Sequence, residues 1–377
     1  MNILFLVNSF KRGGAERVII NLLNYLPGLD PDLKLFLYFL EDAVNPYPVP
    51  DHVHLMKRKK RPKFQSTKFF NIPVQASRLK TFTQENEIDL VLSFLSRSNY
   101  VNMIAKWLGS HHQVIMSERN TPSFVYSSSG IKDRINGLLI RKLYPHSFKI
   151  IAISQGVKND LVNSYDISSD NIVVIYNPID TDVVMIKSKE KVDHKWLTDK
   201  SIKTIISVGR LEKQKNHTLL INAFKIVSKN HPNTRLMILG EGTERKNLEK
   251  LTKELNLTSK VCLIGLQDNP FAFVSKADLF VLSSDFEGFG NVIIEAMVCG
   301  CPVISTDCQS GPNEIITHKK DGYLTPVGDV DAMSDAISTL LENKSLRESI
   351  IENAYHRAND FRLEKISEQY LQTIKNN

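Results

Sequence analysis

The sequence predicts an α/β protein built from two doubly wound, Rossmann-like parallel-sheet domains. Three observations carry this. Short apolar runs alternate with amphipathic stretches along the whole chain, the runs are continuous rather than alternating in polarity, and the whole pattern occurs twice. A strand apolar at every position is one buried on both faces, and that is the signature of a parallel sheet covered by helices. Two such sheets suit 377 residues, which is ample for two domains.

In the first half the strand runs are Ile3 to Val7, Leu33 to Leu40, Leu90 to Phe94, Val114 to Met116 and Ile150 to Ile153. In the second they are Thr204 to Val208, Arg235 to Leu239, Val261 to Ile264, Leu279 to Leu282 and Val303 to Ser305. Helical periodicity marks Glu16 to Leu26, His217 to Val227 and Ala332 to Leu341. The boundary is expected near Tyr176-Asn177-Pro178-Ile179-Asp180, with Lys187 to Lys203 as a polar connection. The domains are therefore expected at 1–178 and 179–359, with a C-terminal helix at about 360–377 packing back on the first.

Composition narrows the class. Hydrophobic residues make up 42% and charged residues 24%, without repeats or low-complexity tracts, which excludes disordered, collagen-like and solenoid chains. The opening Ile3 to Val7 is read as a buried strand rather than a signal peptide, and no apolar run has the ~18 residues of a spanning helix. Cys262, Cys299, Cys301 and Cys308 frame no disulfide scaffold, and a cytoplasmic setting is expected. The net charge of +7 is uneven. Residues 1–178 hold 22 Lys and Arg against 14 Asp and Glu; the remainder holds 26 against 27. A basic first half suits an anionic partner: nucleic acid, an acidic lipid surface or a phosphorylated substrate.

Three segments can carry chemistry. After the first strand, Gly13-Gly14 leads into a helix, where bare backbone N–H groups can approach an anion, or simply make the turn. Gly209-Arg210 follows the first strand of the second domain, and Lys215 precedes a helix that Asn216 can cap. A guanidinium fork and an ammonium point charge together suit a diphosphate. The third segment, Ser284 to Ala296, places Glu287 in a glycine loop with Gly288, Phe289 and Gly290, and starts a helix near Asn291 with Glu295 in its early turns. Glu295 can accept hydrogen bonds from a diol such as a ribose, or favour the helix through its dipole alone.

Gly13-Gly14, Gly209-Arg210 with Lys215, Glu287 and Glu295 with seven residues between, Pro302-Val303-Ile304 and Gly311-Pro312-Asn313-Glu314 resemble the retaining glycosyltransferases of family 4, nearly end to end. Within that family the chain is most similar to bacterial transferases that add N-acetylgalactosamine to lipid-linked oligosaccharides. The resemblance implies the GT-B fold, with the acceptor on the first domain and a nucleotide-sugar donor, UDP-linked, mainly on the second. It implies a hexosyltransferase that moves N-acetylgalactosamine or another hexosamine or hexose to a polyprenyl-diphosphate-linked saccharide in O-antigen, capsule or N-glycan precursor assembly. The reaction would retain configuration and need neither metal nor cofactor. Arg210, Lys215 and Glu287 are then the catalytic candidates; Gly14, Arg210, Lys215, Gly288, Phe289, Gly290, Asn291 and Glu295 would hold the donor. Gly13, Glu118 and Arg119 are candidates on the acceptor side. Arg119 departs from the family, which places His there, so that either Arg119 meets sugar or phosphate or the contact is made differently.

Other patterns are set aside or left open. Asp180-Thr181-Asp182 is read as a cap rather than a metal pair, and the cysteines as structural. Lys57, Arg58, Lys59, Lys60, Arg61 and Lys63 precede Phe64, Phe69 and Phe70. This run either holds the protein on the anionic inner face of the cytoplasmic membrane, grips the acceptor diphosphate, or faces water. Two rival readings stand beside the transferase: a sugar-phosphate synthase of the same fold with a soluble acceptor, and a basic nucleic-acid binder. The second is disfavoured, since no nucleic-acid motif is present and the second half is neutral.

Overall fold

The computed structural model describes residues 1–9, 13–41, 48–56, 71–127 and 130–376. The chain divides into two compact units, Met1–Pro178 with Leu363–Asn377, and Ile179–Arg362.

Among the described residues the first unit holds seven strands: β1 (Asn2–Val7), β2 (Lys34–Phe39), β3 (His54–Leu55), β4 (Leu90–Phe94), β5 (Gln113–Glu118), β6 (Lys149–Ala152) and β7 (Ile172–Val174). Their order is β3-β2-β1-β4-β5-β6-β7, with every pairing parallel. Phe5, Leu37, Leu92 and Ile115 of the sheet meet Val18, Leu22 and Leu26 of the helix Gly14–Leu29. The last helix, Leu363–Lys375, completes this core with Ile366, Tyr370 and Ile374, and Lys375 pairs with Asp30 at 2.6 Å.

The second unit holds β8 (Lys203–Val208), β9 (Thr234–Leu239), β10 (Val261–Gly265), β11 (Leu279–Leu282), β12 (Val303–Thr306) and β13 (Tyr323–Thr325). The order is β10-β9-β8-β11-β12-β13, again parallel throughout. Ile205, Leu236 and Val281 pack on Leu220, Phe224 and Val227 of the helix His217–Asn230 and on Met333, Ile337 and Leu340 of the helix Val330–Glu342.

Strand order reverses between β1 and β4 in the first sheet and between β8 and β11 in the second. At such a point the loops beyond the strand ends splay apart and leave a crevice for a ligand.

The differences from expectation have local causes. β3, β7 and β13 are two or three residues long, too short to show as apolar runs, and His54 and Leu55 are exposed. The first helix continues past Leu26 through Pro27 to Leu29. A proline one turn from a helix end removes a single ladder bond and does not force a stop earlier. The connection after residue 187 is not wholly open, because Thr181–Ser188 and Lys195–Thr198 are helical. Asn359–Phe361 forms a 3₁₀ turn that stays with the second unit rather than opening the last helix. Phe361 is fully buried, its ring 5.6 Å from that of Phe289, with the Arg357 guanidinium 4.8 Å above it.

Candidate functional site

In the second unit, the loops after β8 and β11 are laced together across the switch point. The Asp285 N–H donates to the Gln214 carbonyl at 2.9 Å, and Gln214 Nε2 donates to the Phe286 carbonyl at 2.9 Å. Ser283 Oγ donates to the Lys215 carbonyl at 2.9 Å, and Asn216 Nδ2 to Asp285 Oδ1 at 2.6 Å. Asn216 also caps the helix His217–Asn230, its Oδ1 accepting from the Leu219 N–H at 3.1 Å.

This lacing brings Lys215 against Glu287, 72 residues away in the chain. The two form an ion pair whose side chains are 13% and 8% exposed. Ser284 Oγ donates to the same carboxylate oxygen at 2.6 Å, and Ser310 Oγ donates to the Glu287 carbonyl at 2.6 Å. Arg210 is exposed just after β8, its Nη2 3.3 Å from Gln214 Oε1. Glu295 lies in the second turn of the helix Asn291–Val298 and is buried. Two glycines let neighbouring loops close on these two, Gly240 after β9 on the β8 loop and Gly311 after β12 on the β11 loop. Gly240 (φ +141°) and Gly311 (φ +93°) adopt backbone conformations that L side chains rarely reach. A Cβ on either would fall on a carbonyl oxygen, of Gly209 and Phe289 respectively.

The remaining donor candidates divide. Gly288 and Gly290 are buried in the loop, and Gly290 caps the helix that Asn291 opens. Phe289 is 2% exposed and turns its ring onto Phe361, so the side chain serves the core of the unit.

In the first unit, Gly13 is the N-cap and Gly14 the first residue of the helix Gly14–Leu29, with the Glu16 carboxylate beneath Gly13. Glu118 ends β5 with no exposure. Tyr144 donates to its carboxylate at 2.6 Å, the Arg119 N–H at 3.0 Å and Ser96 Oγ at 3.3 Å, while burial raises the pKa. Arg119 is 6% exposed; its Nη2 donates to Asn177 Oδ1 at 2.6 Å and its Nη1 lies 3.4 Å from Ser117 Oγ and from the Tyr370 hydroxyl. The guanidinium sits 5.6 Å over the Phe94 ring, and burial lowers its pKa. The charge of Arg119 is thus engaged within the first unit, tying β5 to Asn177 and to the last helix. Lys57, Arg58, Lys59, Lys60, Arg61 and Lys63 lie outside the described residues.

Asp180 Oδ1 accepts from the Val183 N–H at 2.9 Å as a helix cap, and Asp182 pairs with Arg362 at 3.1 Å. The cysteines are free thiols, and burial pushes Cys299 and Cys308 up to about 12. Among the described residues no three His, Cys, Asp or Glu side chains are grouped to hold a metal ion, and no helix is long and apolar enough to cross a membrane. Sequence reasoning missed Gln214, Ser284, Ser310 and Gly240. The signal for Ser284 was a pair of small polar residues directly after a buried strand, where a loop begins at the ligand end of a sheet.

Two doubly wound units with glycine-rich, cation-bearing loops at a switch point define the GT-B class. The solved structure of the Anabaena protein HepE in complex with UDP-glucose matches all of this chain and all of its own, with a TM-score of 0.82 at 21% identity. Residues 12–183 match the family model described as Glycosyltransferase Family 4, and residues 188–357 that of Glycosyl transferases group 1. A Campylobacter jejuni relative is 34% identical over 98% of both chains; it is the N-acetylgalactosamine-N,N'-diacetylbacillosaminyl-diphospho-undecaprenol 4-alpha-N-acetylgalactosaminyltransferase. A second C. jejuni relative, an alpha-1,4-N-acetyl-D-galactosaminyltransferase for a GalNAc-containing, diphospho-undecaprenol-linked glycan, is 25% identical over 99% of this chain and 98% of its own. The chain belongs to glycosyltransferase family 4, and it is a glycosyltransferase.

Proposed function

We propose that this enzyme transfers N-acetylgalactosamine, or a closely related hexosamine or hexose, from a UDP-sugar to a polyprenyl-diphosphate-linked saccharide with retention of configuration. The observation that carries the reading is the Lys215–Glu287 pair, which joins the loops at the carboxyl ends of β8 and β11, with Arg210 exposed on the first of these loops. The acceptor class comes from the two undecaprenol-linked relatives, and the UDP-linked donor accords with the HepE complex.

In this reading the donor diphosphate lies against Arg210 and Lys215, the ribose hydroxyls against Glu295, and the sugar near Glu287. As the glycosidic bond breaks, negative charge builds on the leaving diphosphate. Cations already held in place stabilise that charge more than they stabilise the ground state, and this lowers the barrier. The electrostatic work falls to these two side chains, with no metal ion or cofactor in the scheme. Lys215 is prepositioned by Glu287 and by the Ser283 bond to its own carbonyl, so little reorganisation accompanies the reaction. Retention follows from a front-face displacement in which the leaving phosphate takes the acceptor proton, with Glu287 orienting the sugar. The first unit then receives the acceptor, and the protein works at the inner face of the cytoplasmic membrane.

The test is transfer by the purified enzyme with a panel of UDP-sugars and a polyprenyl-diphosphate saccharide, against soluble sugar phosphates as acceptors. Product on the lipid-linked acceptor alone supports the reading; product only on a sugar phosphate would replace it with a synthase of the same fold.

A further inference from the structure

The helix Ile131–Leu143, between β5 and β6, turns Asn136, Ile140 and Leu143 into the first unit. A surface helix normally offers polar residues on the opposite side. This one does not. At ~100° per residue, Ile131, Ile135 and Leu138 fall within about 60° of one another, opposite the buried face. They are 79%, 42% and 57% exposed, and Val125 just upstream is 42% exposed. Cations border this apolar stripe. Lys142 continues it, while Lys132 and Arg134 lie at its two edges, all three exposed. A fourth cation, Arg141, pairs with Asp166. Asp133 is the helix's single acid.

We propose that this face seats the enzyme on an anionic bilayer, the helix lying in the plane of the interface with Ile131, Ile135 and Leu138 in the acyl boundary. Aliphatic residues on one stripe with long cationic side chains at its edges are what such a helix needs, since the stems follow the apolar surface and the charges reach the headgroups. A second copy of the chain is the poorer occupant. Across a two-fold axis through the middle of the helix, Lys132 of one copy would face Lys142 of the other at both ends, and like charges held face to face oppose association. The proposal rests on the lipid-linked acceptor of the preceding reading, and the topology serves it. The helix follows the carboxyl end of β5 and runs back toward the start of β6. Ile131 therefore lies toward the end of the sheet where ligands of such folds bind.

The test uses the full chain with vesicles of phosphatidylcholine alone and of phosphatidylcholine with phosphatidylglycerol. Wild type is expected on the anionic vesicles. Ile131→Ser/Ile135→Ser/Leu138→Ser should bind them about tenfold more weakly or worse, with an unchanged circular dichroism spectrum, since the side chains already face solvent. Leu138→Trp keeps an apolar residue and should show a blue-shifted fluorescence on binding. Lys132→Gln/Arg134→Gln/Lys142→Gln should bind with a shallower salt dependence. Vesicle binding by the triple Ser variant equal to wild type, no wild-type binding at all, or a wild-type dimer that the Ser variant makes monomeric while vesicle binding persists, would each overturn the proposal. Vesicle binding is read without donor or acceptor. A failure of transfer to a short-chain, water-soluble acceptor therefore counts against the functional reading and leaves the vesicle result standing.

Discussion

Replacing Lys215 by Met keeps most of the side-chain volume and removes one charge of a pair that is 13% and 8% exposed. The Glu287 carboxylate, which water barely reaches, then loses its cation and keeps the Ser284 hydroxyl at 2.6 Å. Breaking a buried pair from one side costs about 3 to 5 kcal/mol, and with that hydroxyl in place the lower figure, about 3 kcal/mol, is expected. Glu287→Gln should cost less, about 1 to 2 kcal/mol, because the ammonium on its flexible stem can turn toward solvent. The double variant removes both charges and should recover about 2 kcal/mol relative to the sum of the two. Urea denaturation of the four proteins closes this cycle. UDP adds a second reading, since it should raise the wild-type midpoint and do little for Lys215→Met. Costs that simply add, with a coupling below about 0.5 kcal/mol, would show that the pair is not the joint between the two loops.

Kinetics should separate the roles of the site residues. Arg210→Ala should lower kcat/KM about a hundredfold, the usual loss for a group that meets charge developing in the transition state. Glu295→Ala should mainly raise the donor KM, and Glu287→Gln mainly lower kcat; steady-state rates showing the reverse would exchange their places in the site. A pH effect on stability is expected from His112, which is 1% exposed with Nε2 2.9 Å from Asn102 Oδ1 and Nδ1 2.6 Å from Ser110 Oγ. Burial, with the Lys106 charge, lowers its pKa to about 3, so the unfolded chain takes up a proton below about pH 6.5 that the folded chain refuses. Stability from this group is complete above that pH and falls as pH drops toward 3; between pH 7 and pH 5 the loss is about 2 kcal/mol. His112→Asn, measured by urea denaturation at both values, should flatten the dependence by that amount, and an unchanged slope would mean that His112 titrates normally. Gly311→Ala should lower the melting temperature markedly, because the new Cβ meets the Phe289 carbonyl in a loop already at φ +93°.

Most strands could be read from the sequence because parallel strands buried on both faces leave unbroken apolar runs, as in Ile3 to Val7 and Leu279 to Leu282. β3 and β13 carry no such run, and only the neighbouring strand specifies them. Arg210 and Glu287 were visible as chemistry, since each follows a strand beside glycine, and Lys215 as a cation five residues after Arg210. The Lys215–Glu287 contact was not visible, because it depends on β8 lying next to β11 across two intervening strands of sequence. The cap role of Asp180 was legible, as a local bond three residues long. Arg119 shows the opposite case. Its partners, Asn177 and Tyr370, stand 58 and 251 residues away, and no local pattern reports a guanidinium held by the last helix of the chain. Phe289 sits inside a glycine loop that reads as ligand-facing, yet an aromatic ring there is better buried against Phe361.

In the proposed reaction Arg210 and Lys215 stabilise the diphosphate leaving from a UDP-sugar while a polyprenyl-diphosphate saccharide accepts the sugar. The measurement that meets this directly is the rate of UDP release and the anomeric configuration of the lipid-linked product for wild type and for Arg210→Ala/Lys215→Ala, with UDP-N-acetylgalactosamine as donor. Wild type should give an α-linked product, and a double variant that still folds should lose at least about a hundredfold in kcat/KM. Wild-type turnover by that folded double variant, or an inverted β-linked product, would contradict this.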